Sequence, residues 1–136
     1  MPVTKAPRKA ARPRKKTADR FRIKRIYEPA SKDDGLRVLV DRLWPRGIAK
    51  KKVHIDLWLR DLSPSDELRR MVHADPAKWD EFVKAYGREL KQKPARTALA
   101  DLRKLPRSRP VTLLYAARDE AHNNAVALKR LLAQAK

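Results

Sequence analysis

Two nearly uninterrupted apolar runs limit what this chain can become: Val38-Leu39-Val40, and the segment from Val111 to Ala117. A strand with one wet face alternates apolar and polar residues. A strand that is apolar at almost every position is covered on both faces. Such strands call for a sheet with packed material on either side, which is the arrangement of α/β domains. Each run gives way to a charged, polar segment, and in open α/β sheets ligands settle beyond the carboxyl ends of the strands.

The remaining elements follow from periodicity. Phe21 to Tyr27 reads as a strand, with Phe21, Ile23 and Tyr27 at alternate positions and Arg25 interrupting them. Pro29, Asp33, Asp34 and Gly35 mark Glu28 to Gly35 as a loop, and Leu36 to Leu43 is the next strand. A parallel crossover usually takes about a dozen residues or more, so antiparallel pairing of these two strands stays open. Val53 to Leu62 fits both a strand and a helix and is read as an extended entry followed by a helical turn. Ser63-Pro64-Ser65-Asp66 reads as a capping box with proline at the first helical position. Asp75-Pro76 repeats the start signal before a stripe of Trp79, Phe82, Val83, Tyr86 and Leu90. A third stripe, Ala95 to Leu105, follows Pro94. Asp119 is the expected N-cap of a last helix that buries Ala121, Ala125, Leu128, Leu132 and Ala135. The expected fold class is α/β: a small, mostly parallel sheet of three to four strands flanked by helices.

Charge separates the ends of the chain. Lys and Arg number 35 against 16 Asp and Glu, a net charge of +19. Residues 1–20 hold eight of the basic residues against Asp19 alone, have three prolines and show no apolar periodicity. They are expected to form a disordered basic tail, with residues 21–136 as a single domain. The body is basic too, so nucleic acid bound non-specifically through the tail by counterion release is one expected partner. With no cysteine, disulfides, thiol nucleophiles and thiolate metal sites are excluded. No segment approaches the ~18 apolar residues of a membrane span, and the basic N-terminus lacks the apolar core of a secretory signal. No membrane partner is expected. Walker loops, dinucleotide fingerprints and Gly-x-Ser-x-Gly elbows are missing. His54, His73 and His122 lie far apart with no i, i+4 pair. Neither a metal nor a cofactor is expected.

Two segments carry candidate chemistry. Asp41 to Gly47 places Arg42 and Arg46 around Trp44 and ends at a glycine. Arginine forks recognise carboxylate or phosphate, and Gly47 permits a sharp turn or a close approach to a ligand. The same residues serve equally as a structural turn, with Asp41 paired to an arginine and Trp44 plugging the sheet end. Arg118 to Asn124 opens a helix, where free N–H groups favour anions and tend to keep a histidine neutral. His122 also fits a half-buried packing role. If the second and third strands are parallel neighbours, both segments meet at one sheet end. The expected ligand is then a small anion, with phosphate foremost. Arg42, Trp44, Arg46, Gly47, Arg118 and Asn123 would bind it, and His122, Asp119 and Asp41 would move protons.

These residues also carry a family resemblance. Arg25 to Glu28, Asp33-Asp34-Gly35, Val38 to Gly47, Trp58 to Ser65, Leu68-Arg69, Val111 to Asp119 and His122-Asn123 together resemble the YeaO-like family of bacterial proteins, a branch of domain-of-unknown-function family 488. The resemblance covers roughly residues 21–135 and leaves out the tail. It implies a compact α/β fold and a cytoplasmic bacterial protein, and it brings no settled reaction. Longer relatives in the wider family carry cysteines near the last strand, followed by a His-Arg pair. Tyr115 and Ala121-His122-Asn123 stand in the corresponding stretch here.

Overall fold

In the computed structural model, which describes residues 20–134, four strands form one wholly parallel sheet. They are β1 (Phe21–Arg25), β2 (Leu36–Leu39), β3 (Leu57–Trp58) and β4 (Val111–Tyr115), in the spatial order β1-β4-β2-β3. The last strand in sequence therefore sits between the first two. Leu113 faces Ile23 on one side and Val38 on the other.

This order settles the pairing left open above. β1 and β2 are parallel and are not neighbours, so antiparallel pairing is overturned. The link of residues 26–35 must return about 16 Å along the strands and cross about 10 Å of sheet. Ten extended residues reach about 33 Å, so no helix is needed. The link ends at Gly35, whose φ of 65° lies in the left-handed region and whose backbone lies against Pro110.

The sheet's two faces are covered differently. Phe21, Val38, Val40, Val111, Leu113 and Tyr115 join one core. Four helices pack into that core: α1 (Asp66–Ala74), α2 (Trp79–Glu89), α3 (Ala95–Arg103) and α4 (Asn124–Gln134). Ile26, Leu39 and Leu114 point the other way, because strand side chains alternate. That face is covered by an irregular segment carrying Trp44, Ile48, Val53, Ile55 and Trp58. The helices thus flank one face, and a folded loop does for the other.

The loop-covered face also holds paired charged side chains. Arg37 is 2% exposed. Its guanidinium pairs with Asp34 and donates through Nε to the His54 carbonyl at 2.7 Å. Asp34 also takes the Lys24 ammonium at 2.8 Å, and its carbonyl accepts Thr112 Oγ1 at 2.7 Å.

Several boundaries differ from those read in sequence. β1 ends at Arg25 and β2 at Leu39. Ser65, not Ser63, caps α1, accepting the Leu68 N–H, and Pro64 precedes the helix. The other half of the expected box comes from α2, whose Glu89 Oε1 accepts the Ser65 N–H at 2.9 Å. Val53 to Leu62 does resolve into an extended entry, β3, and a 3-10 turn at Arg60–Leu62. Arg20, counted above with the tail, is 9% exposed, and its guanidinium donates to the Leu105 and Pro106 carbonyls. The rest of the expected disordered tail, residues 1–19, and Ala135 lie outside the described residues. Among the described residues no helix is long and apolar enough to cross a membrane.

Candidate functional site: a cleft at the carboxyl ends of β2 and β4

β2 and β4 are adjacent and parallel, so the segments that follow them leave the sheet at the same end. Between them lies a cleft of about 810 Å³. Asp41, Arg42, Trp44 and Arg46 line it from one side, and Arg118, Asp119, His122 and Asn123 from the other. A third wall comes from Ser63, Pro64 and the α1 residues Arg69, Val72 and His73. Gly47 does not line the cleft. Its φ is 75° and a Cβ there would meet open space, so its glycine serves the turn and not a close approach.

The first wall is fixed by its aromatic residues. Trp58 Nε1 donates to the Asp41 carbonyl at 2.7 Å, and Trp44 Nε1 to that of Ile48 at 2.6 Å. The two indoles meet edge to face, with centroids 5.4 Å apart. Trp44 therefore belongs to the loop-side core as well as to the cleft wall. Tyr27 Oη donates to the Arg46 carbonyl at 2.8 Å and anchors the loop's far end.

The second wall is held by Arg25, whose guanidinium donates to the Ala116 and Ala117 carbonyls just beyond β4. Asp119 does not cap α4. Its Oδ1 accepts the N–H groups of Ala121 and His122, making a turn of its own. The residue that caps α4 is Asn123, whose Oδ1 accepts the Val126 N–H while its Nδ2 donates to the Asp119 carbonyl. Asn123 is thus committed to the loop at both ends of its amide. His122 precedes the helix instead of lying in its first turn. Its ring reaches Asp119 Oδ2 at 3.2 Å and meets Trp79 edge to face at 5.0 Å. Asn124 joins the two walls, donating to the Val40 carbonyl at 2.9 Å.

The two carboxyl groups are pushed in opposite directions. Burial raises Asp41 above the usual carboxylate range, against its hydrogen bonds, one of which is from the Ala116 N–H at 2.9 Å. Asp119 is exposed and lies below that range, because the Ala121 and His122 N–H groups favour its anion.

Two residues missed in the sequence complete the site. Among the described residues four buried side-chain polar atoms have no hydrogen-bond partner: Nε of Arg20, Arg42 and Arg69, and Oγ of Ser63. Three of these four, those of Arg42, Arg69 and Ser63, belong to residues that line this cleft. Ser63 is 6% exposed. It is held in place by the Tyr86 hydroxyl, which donates to the Leu62 carbonyl, and by its own N–H to the Arg60 carbonyl at 3.1 Å. Burial raises Tyr86 well above the ordinary phenol range, so it remains a donor. Arg69 lies one helical turn from Val72 and His73, which share its wall. That spacing is the signal that identifies it. Buried donors are nearly always satisfied in folded proteins, and a cluster of unsatisfied ones points to a water or an ion.

The profile described as "Inactive DUF488-N3 subclade" matches residues 20–136. The chain belongs to this family. Membership agrees with the YeaO-like resemblance. The chain is 44% identical over 113 residues to the uncharacterized protein Rv3073c of Mycobacterium tuberculosis, covering 83% of this chain and 93% of the relative. It is 42% identical over 109 residues to the uncharacterized protein YeaO of Escherichia coli K12, covering 79% and 92%. No solved structure matches it significantly.

Proposed function

We propose that this DUF488-N3 domain binds a small anionic, phosphate-bearing ligand in the cleft without transforming it. The observation that carries the reading is the cluster of three unpartnered buried donors at Arg42 Nε, Arg69 Nε and Ser63 Oγ. Phosphate offers several acceptor oxygens and a charge that matches the guanidinium of Arg42 and that of Arg69, which also pairs with Asp66 through Nη2. Arg118 and Arg46 line the same cleft and add positive potential. Two features favour binding over turnover. Asp41, the buried carboxyl, is tied to the Ala116 N–H, and Asp119 is tied to its own turn. The family's description as inactive points the same way.

A thermal-shift series in inorganic phosphate tests this, with sodium chloride matching the ionic strength. Ligand at 100 times Kd stabilises by about 2.7 kcal/mol, a rise of several degrees in Tm. The wild type is expected to show that rise and Arg42→Ala/Arg69→Ala to lose most of it. Equal shifts in the two proteins would count against the site, because a chain this basic collects anions on its surface as well.

A further inference from the structure

Tyr27, at 43% exposure, and Leu43, at 69%, are the large hydrophobic residues left exposed among the described residues. Both line the cleft that holds the unpartnered donors. Scattered surface leucines need no explanation. Here the exposed apolar groups instead converge on one concave site. The Tyr27 ring is also held in position. Its hydroxyl is bonded to the Arg46 carbonyl, and the Arg25 guanidinium lies over the ring at 4.8 Å to the centroid. Arg25 is itself fixed to the Ala116 and Ala117 carbonyls. Such a ring cannot swing inwards without breaking those bonds. The cleft thus pairs a cationic, hydrogen-bonding part with an apolar, aromatic part. Its volume of about 810 Å³ falls in the range that encloses a whole small ligand.

Building on the anion site above, we propose that the ligand's phosphate is carried on a planar aromatic group, with a nucleoside 5′-phosphate as its representative. The phosphate meets Arg42, Arg69 and Ser63, and the base lies against Tyr27 and Leu43. Every nucleobase has a π-face, so stacking on an aromatic side chain strengthens binding with little dependence on base identity. The same chemistry has two sources, a free nucleotide and the 5′-phosphorylated end of a nucleic-acid strand.

Calorimetric titration of the full chain with AMP and ribose 5-phosphate separates the base from the phosphate. AMP is expected to bind about tenfold more tightly, a difference of about 1.4 kcal/mol. Leu43→Ser alters an exposed side chain and is expected to shrink that preference several-fold. Leu43→Phe is expected to keep it. A 5′-phosphorylated oligonucleotide that binds more tightly than both AMP and its own 5′-hydroxyl counterpart assigns the source to a strand end, whereas tighter binding of AMP assigns it to the free nucleotide. Ribose 5-phosphate binding as tightly as AMP, or an unchanged preference in Leu43→Ser, overturns the aromatic part and leaves the anion site standing. If neither compound binds, both fall.

Discussion

Asp34→Ala is expected to destabilise the domain by about 3–5 kcal/mol, the usual cost of removing one member of a buried ion pair. Total stabilities of small domains are about 5–15 kcal/mol, so this is a large share. The variant leaves Arg37, 2% exposed, with a buried charge and no carboxylate. It also strips Lys24 of its partner and removes the acceptor for the Ser31 N–H. The unfolding midpoint in urea measures the loss, and an unchanged m-value confirms that the loss is one of native stability. Burial disfavours the Asp34 anion, but Lys24, the Ser31 N–H and Arg37 outweigh it, so its folded pKa lies below the ordinary value. Its stabilisation is therefore complete above the unfolded pKa of about 3.9 and fades as pH falls through the lower folded value. Wild-type stability should drop below about pH 4, and Asp34→Ala should show a shallower drop. Asp41 has the opposite sign. Its raised pKa penalises the fold increasingly as pH climbs from the unfolded value through the folded one.

Gly35→Ala is expected to cost about 3 kcal/mol, from two separate sources. At φ 65° and ψ −131° the residue sits where side chains are strained, a cost of about 1–2 kcal/mol. A Cβ there would also lie 2.1 Å from the Pro110 carbonyl oxygen and 2.8 Å from Pro110 Cγ. Overpacking of this kind typically costs a further 1–3 kcal/mol, roughly. The backbone has little room to yield, because the same Pro110 oxygen accepts the Leu36 N–H at 2.9 Å where β2 begins to pair with β4. Gly47→Ala is the matched control. It has a similar φ but open space around it, so only the conformational part applies. Gly35→Ala should therefore lower the urea midpoint more than Gly47→Ala.

The parts of this fold legible in sequence are those set by local pattern. Val38 to Val40 and Val111 to Tyr115 are apolar at all positions but Thr112 because they occupy the two middle positions of the sheet, and their polar sequels mark its carboxyl end. The order of strands was not legible, because it depends on Leu113 finding Ile23 and Val38 across more than half of the chain. Arg37 was hidden for a related reason, since its partner Asp34 looks like an ordinary turn residue. Within the site, the arginines and acids of the two loops stood out as charge beside buried strands. Ser63 and Arg69 did not. Ser63 resembled a helix cap until Ser65 took that role, and no local pattern set Arg69 apart from Arg70 beside it in α1. Asp119 and Asn123 are both competent caps, and only the fold shows that Asp119 is used up by the turn before α4.

The most direct test is a crystal grown in selenate, an anomalously scattering stand-in for phosphate. An anomalous selenium peak is expected between Arg42, Arg69 and Ser63, with selenate oxygens about 2.7–3.2 Å from Arg42 Nε, Arg69 Nε and Ser63 Oγ. Selenate ordered at other basic positions, with none between these three atoms, would contradict the claim that they form an anion site.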